Sequence, residues 1–276
     1  MIGVFDSGSG GVTILAALHQ RLPKQDFLYL GDHANAPYGH RSNEQIVEFT
    51  EAGVSALMAA GCTLVILACN TAAAVALRHL QQNWLPRAYP ENRILGVLVP
   101  TVEALTGVPW SQKSPTDSSQ TAKKITLFAT RKTVESKAYT DEVRKRAPQL
   151  TLYGQACPGL VDAIEGGAGP LPLAGMVSGY VAEADTEEVD AIVLGCTHFP
   201  LVKNHFENAL PAGTTILSQP EIVATSLVNY LARHSQFIKP SNGIVDILTT
   251  GDPHEIAAAK IQLPAGFTQF TSLKNY

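Results

Sequence analysis

Residues 64–72 read LVILACNTA, and residues 191–199 read AIVLGCTHF. Each begins with a short apolar run rich in Val, Ile and Leu. A run of that kind marks a strand buried on both faces, as in a parallel sheet covered by helices. Each run then passes through one small residue into a cysteine, Cys69 or Cys196, and on to hydroxyl-bearing and polar side chains. The likeness of the two segments suggests a weak internal duplication, with one copy in each of two domains.

Working outward, the same alternation recurs along the chain. Apolar runs at residues 2–5, 27–30, 64–68 and 94–97 predict four strands. Helical periodicity at 12–21, 43–60 and 72–82 predicts the helices between them, the second capped by Ser42 and stopped by Gly61. Residues 111–122 (SQKSPTDSSQTA) are polar and carry a proline, which reads as an exposed loop. The alternation then restarts, with strands at 125–128, 150–155 and 191–194 and helices at 133–146, 159–165 and 174–183. The tail adds strands at 215–217 and 245–249 around a helix at 222–234. The expected fold is α/β: two similar domains with mainly parallel sheets and the active site in the interdomain cleft. Residues 1–97 and 213–276 are assigned to the first domain, completed by the C-terminal segment, and 98–212 to the second.

Composition narrows the function classes. With 45% hydrophobic and 16% charged residues, the chain has enough apolar surface for a sizeable core. Its formal charge of −4 argues against a nucleic-acid or anionic-membrane binder, because both need clustered positive charge. The start MIGVFDSGSGG lacks a basic segment, and its apolar run ends at Asp6, so no signal peptide is read there. No apolar stretch approaches a membrane span. The expected location is the cytoplasm, where the four cysteines, Cys62, Cys69, Cys157 and Cys196, would be reduced thiols. None forms a CxxC pair, so neither a zinc ribbon nor a thioredoxin-type site is expected, and no metal site is assigned.

Ligands of open α/β sheets bind at the carboxyl ends of strands. Those ends carry Asp6-Ser7-Gly8, Asp32 with Pro37-Tyr38-Gly39, Cys69-Asn70-Thr71 and Cys196-Thr197-His198, while Glu165 ends a short helix. Two thiols facing each other across a cleft suit the inversion of a Cα centre. One takes a proton from one face, the other delivers a proton to the opposite face, and the roles reverse with direction. A thiol serves either task because its ordinary pKa of about 8.5 lies close enough to neutrality to be tuned. Asp6 beside Cys69 and His198 beside Cys196 are candidate proton partners, and Asp32 and Glu165 candidate assisting acids. Ser7, Asn70, Thr71 and Thr197, with the amides of the Gly-rich turn at 7–11 and of Tyr38-Gly39, are candidates to hold carboxylate and amine groups.

Plainer readings stand beside these. A lone strand-end cysteine is more often core than reactive, and Cys62 and Cys157 are read that way. Asp6 and Ser7 can cap the next helix, Asp32 can form a turn, and Glu165 can be a solvated helix end. SGSGG lacks the spacing of a dinucleotide fingerprint and the lysine of a phosphate loop. His19, His33, His40 and His79 read as surface or turn residues. A Cys-dependent amidohydrolase would need only one thiol, a His base and an oxyanion hole, which leaves the second cysteine idle.

The sequence resembles the glutamate racemase family, within the aspartate/glutamate racemase superfamily. The matching segments are FDSGSGG at 5–11, PYG at 37–39, ACNTA at 68–72, TVESKAY at 133–139, ACP at 156–158 with LVDAIE at 160–165, GCTHFPL at 195–201 and TTGDP at 249–253. They are collinear and span nearly the whole chain. Related aspartate racemases usually carry Glu at the position of His198, so GCTH favours glutamate over aspartate or another amino acid. The resemblance implies interconversion of L- and D-glutamate without pyridoxal phosphate or any other cofactor. It also implies supply of D-glutamate for bacterial peptidoglycan, and a homodimer. By position it implies Cys69 and Cys196 as the catalytic pair, with Asp6, Asp32, Glu165 and His198 assisting. Substrate contacts fall on Asp6, Ser7, Pro37, Tyr38, Gly39, Asn70, Thr71, Thr197 and His198. The chain departs from the family pattern at Ser9, where Val or Ile is common, and in longer segments at 83–93 and 111–122.

Overall fold

In a computed structural model of the protein, residues 1–111, 123–184, 186, 189–238, 241–259, 261, 263–267 and 269–276 are described. Among the described residues ten strands form two sheets, and every recorded strand pairing is parallel. The first sheet contains β1 (Ile2–Asp6), β2 (Phe27–Gly31), β3 (Leu64–Leu67), β4 (Arg93–Gly96), β9 (Val245–Thr249) and β10 (Thr271–Ser272) in the order β10-β9-β2-β1-β3-β4. The second contains β5 (Lys123–Ala129), β6 (Leu150–Ala156), β7 (Ala191–Gly195) and β8 (Thr215–Ser218) in the order β6-β5-β7-β8. The expected α/β architecture with two mainly parallel sheets is observed.

The apolar runs become central strands because both faces are covered. In the second sheet Ile192 and Leu194 pack with Phe128, Leu160 and Phe206 on one side. Val193 packs with Ile125, Leu127, Leu98 and Tyr139 on the other. Alternate residues of one strand thus feed two separate cores. Phe206 is fully buried, and truncating a side chain of that size costs about 3–5 kcal/mol. The first sheet is sealed on one side by the helices Val12–Arg21 and Gln219–Arg233.

The structure revises several boundaries. The segment from residue 213 was expected to complete the first domain, yet β8 pairs with β7 from Ala191↔Thr215 to Leu194↔Ser218. The chain returns to the first sheet only after Ser218. There the helix Gln219–Arg233 leads toward β9, which lies against β2. The helix expected at 133–146 is two helices, Arg131–Glu135 and Ala138–Arg146, because Lys137 adopts a left-handed φ of 57°. The helix after β3 starts earlier than expected, at Asn70, with Cys69 as its cap. Ser42 does cap the helix Asn43–Ala59, through a reciprocal pair with Gln45. Of the polar loop expected at 111–122, all but Ser111 lies outside the described residues.

Candidate active site

β1, β3 and β7 deliver their last residues to one place. At the end of β1, Asp6 is fully buried; its carboxylate accepts the Gly8 N–H at 3.0 Å and the Thr197 hydroxyl at 3.1 Å. After β3, Cys69 caps the helix Asn70–Val75. Its sulfur accepts the Ala72 N–H at 3.4 Å, and its thiol donates to Ser7 Oγ at 3.4 Å. After β7, Cys196 Sγ lies 3.8 Å from His198 Nδ1. His198 Nε2 meets Glu165 Oε1 at 2.6 Å, and that oxygen also accepts the Ser9 N–H at 2.9 Å.

These strand ends enclose a cavity of about 360 Å³, the size range of small-molecule sites. Both thiols line it, each on a residue only 5% exposed. Ser7, Tyr38 and Thr71 come from segments that follow first-sheet strands, and Thr130, Thr197 and His198 from segments that follow second-sheet strands. The two halves meet across the glycine-rich turn at 7–11. A Cβ on Gly10 would fall 2.5 Å from His198 Nδ1 and 2.6 Å from Thr197 Oγ1. Only glycine allows that approach.

The two thiols sit in different electrostatic surroundings. Burial, reinforced by the nearby Asp6 charge, pushes the Cys69 thiol up to about 12, although Ser7 and Ala72 partly counter this. Burial also raises Asp6 to about 6, against the pull of His198 and the bonds from Gly8 and Thr197. On the Cys196 side, burial disfavours the charged form of His198. The Glu165 carboxylate and Cys196 outweigh it, so the imidazole is held well above its usual value. Glu165 is partly buried, which opposes its ionisation, but His198 and the Ser9 amide draw it down to about 2. The His198–Glu165 contact is therefore a charge-assisted pair directed at Cys196.

Ser7, Pro37, Tyr38, Gly39, Cys69, Asn70, Thr71, Cys196, Thr197 and His198 all line the cavity. Asp6, Asp32 and Glu165 do not. Asp6 lies behind Thr197, and Glu165 reaches the site through His198. Asp32, an expected assisting acid, has both oxygens occupied. Tyr38 donates to one at 2.7 Å, Thr250 to the other at 2.7 Å, and Asn35 to both. Asp32 thus braces the Tyr38 turn and stands outside the cavity lining. The Asn70 carboxamide is largely committed as well. Its oxygen accepts from Tyr139 and Gln219, and its NH2 donates to Gln219 at 2.7 Å.

Some cavity residues escaped the sequence reading. Thr130 follows β5 and bonds to Thr71 at 2.9 Å, and Cys157 follows β6 at the cavity wall. The strand-end rule that flagged the others applies to both. Cys157 was assigned to the core because of its apolar neighbours; it is 2% exposed and borders the same cavity. Arg131 and His40 also reach the cavity, His40 facing Asp162 at 3.7 Å. His33, read as a turn residue, is half-buried and bonded through both ring nitrogens.

Paired parallel sheets with a strand-end cysteine from each on one cavity define a class of thiol-lined α/β site. Residues 95–227 match the model of the Asp/Glu/Hydantoin racemase family. Curated relatives include a glutamate racemase of Phenylobacterium zucineum, 44% identical over 261 residues, covering 91% of this chain and 92% of the relative. One of Paracoccus denitrificans is 45% identical over 264 residues, covering 95% of each. Among solved structures, glutamate racemase from Thermus thermophilus in complex with β-chloro-D-alanine superposes with a TM-score of 0.80. It is 30% identical, over 100% of this chain and 98% of that one. The chain belongs to the glutamate racemase family.

Proposed function

We propose that this protein interconverts L- and D-glutamate by a two-thiol mechanism that needs no cofactor. The observation that carries the proposal is the placement of Cys69 and Cys196, from different sheets, on the wall of one small cavity. The thiolate of one cysteine removes the Cα proton from one face of the substrate. The thiol of the other gives its proton to the opposite face, and the next turnover in reverse restores both. The mobile protons exchange with solvent, so nothing is consumed. His198, 3.8 Å from Cys196, passes a proton to and from that sulfur. Asp6 and Glu165 act behind Thr197 and His198, one on each side. Ser7, Thr71, Thr130 and Thr197, with backbone amides at the helix start after Cys69, hold the substrate's polar groups.

Glutamate is preferred over aspartate because relatives at 44–45% identity across the chain are named glutamate racemases. The two sheets act as lobes, and the chain's passages between them act as the hinge through which substrate enters. As in the wider family, the D-glutamate would serve bacterial peptidoglycan synthesis in the cytoplasm, and the working form would be a homodimer. Among the described residues no helix is long and apolar enough to cross a membrane.

The test is circular dichroism of L-glutamate and of L-aspartate incubated with the enzyme without pyridoxal phosphate. The signal is expected to decay to zero with glutamate and to persist with aspartate; decay with aspartate alone removes the glutamate assignment. Cys69→Ser and Cys196→Ser are each expected to abolish the decay. Full turnover by Cys196→Ser alone would replace the two-thiol mechanism with single-cysteine chemistry.

A further inference from the structure

His33 lies in the turn after β2, outside the cavity, and is fastened on every side. Its Nε2 is 2.9 Å from Ser9 Oγ. Its Nδ1 is 2.9 Å from Thr249 Oγ1 and 3.2 Å from the Gly31 carbonyl. Thr249 Oγ1 is itself fixed by the Gly251 N–H at 2.9 Å, and Phe270 stands edge-on to the ring at 5.1 Å. Ser9, fully buried, is what His33 holds. The Ser9 N–H donates to Glu165 Oε1, the same oxygen that meets His198 Nε2.

The turn carrying Ser9 has no room to drift without moving that pair. A Cβ on Gly8 would lie 2.8 Å from Glu165 Oε1, and one on Gly10 would lie 2.5 Å from His198 Nδ1. A shift of the turn therefore passes directly to both members of the Glu165–His198 pair. Burial lowers the His33 pKa, with Glu165 and the Gly31 carbonyl working the other way, and the net lowering favours the ring as a neutral strut. Glu165, His198 and Asp32 are the charged groups that bear on it. Those that bear on His198 are Glu165 and Cys196, with Asp6 also coupled to it from β1.

We propose that His33 is a positioning residue. Through the Ser9 hydroxyl it holds the glycine-rich turn so that the Ser9 amide stays on Glu165, Glu165 stays on His198, and His198 stays aimed at Cys196. This rests on the two-thiol reading of the site. It assigns His33 to the Cys196 side of the reaction, both when that sulfur takes the Cα proton and when it returns one.

The test compares wild type with His33→Leu, His33→Gln and Ser9→Ala, using L- and D-glutamate with hydrogen or deuterium at Cα. Losing the Ser9–His33 hydrogen bond, which both variants remove, is expected to lower kcat/KM about five- to twentyfold in His33→Leu and Ser9→Ala. The primary isotope effect should rise for the enantiomer deprotonated by Cys196, because that step becomes more rate-limiting, and fall for the other. His33→Gln, whose amide can reach Ser9 Oγ, should recover most of the loss. Thermal melts confirm that each variant is folded, and Ser9→Ala tests the link from its other end should His33→Leu fail to fold. Isotope effects that stay unchanged or move together overturn the proposal, as does Gln behaving like Leu. A wild type that racemises neither enantiomer removes the two-thiol reading and this proposal with it.

Discussion

Glu165→Gln keeps an oxygen within reach of His198 and removes only the charge. The worth of that charge follows from the site. The Glu165 carboxyl sits at about 2 instead of 4.5: burial opposes its ionisation, and His198 and the Ser9 amide more than offset that. At about 1.4 kcal/mol per pH unit, the lowering corresponds to about 3 kcal/mol of stabilisation. An acid with a depressed folded pKa stabilises the protein above its unfolded value and loses that contribution as the pH falls. The contribution should be complete above about pH 4.5, half gone near pH ~3 and absent near pH ~2. His198 works in the opposite sense: its raised pKa stabilises fully below about pH 6.5 and fades only as the pH climbs through the folded value. The two contributions overlap between about pH 4.5 and 6.5. Asp6, raised to about 6, costs stability as the pH rises from 3.8 to about 6; the Glu165 charge supplies the smallest part of that rise, so its removal relieves a little of the cost in the variant. Urea denaturation at pH 6 should therefore find the variant about 2–3 kcal/mol less stable, with the gap closing to under about 1 kcal/mol near pH ~2.5. kcat/KM at neutral pH should fall about 10- to 100-fold, because the neutral imidazole no longer serves Cys196 as before. A gap equal at pH 3 and pH 6, or one that widens toward acid, would refute the charge-pair reasoning.

Other substitutions probe separate parts of the site. Gly10→Ala places a methyl group against His198 and Thr197; it should cost about 1–3 kcal/mol in thermal unfolding and lower turnover at least about tenfold. Asp6→Asn removes the negative charge that helps to hold Cys69 high; the thiolate absorbance of a Cys196→Ser background should then appear at lower pH than with Asp6 present. Tyr139→Phe removes a donor from the buried Asn70–Gln219 cluster and should destabilise the protein by about 1–2 kcal/mol in urea denaturation, with KM rising more than kcat falls.

The strands were legible because their apolar runs are buried on both faces, a pattern that survives without knowledge of the fold. The two cysteines were legible because each ends such a run. Sheet membership was not: β8 is short and only partly buried, and nothing local in residues 215–218 tells which lobe it extends. The break at Lys137 depends on a positive φ that its identity does not announce. Asp32 carries the residue type of an assisting acid, but Tyr38, Thr250 and Asn35 saturate it. Two of those partners lie within a few residues of it, and Thr250 is brought in only by β9 pairing with β2. Ser9 and His33 escaped notice for the same reason. Their significance lies in a contact made by folding, between residues that each look like turn formers.

The pairing of β2 with β9, from Phe27↔Val245 to Gly31↔Thr249, has a consequence for synthesis on the ribosome. The second sheet is threaded into the first between β4 and β9. One edge of β2, whose residues before its final glycine are Phe, Leu, Tyr and Leu, must then wait for more than two hundred further residues to be translated. During that interval its unpaired amides and carbonyls are a template for another chain. The second lobe, whose strands are contiguous in the chain, can fold while the ribosome is still at work. The first lobe closes last, and with it the Asp32–Thr250 and His33–Thr249 bonds. These supports of the site can form only once nearly the whole chain has been made.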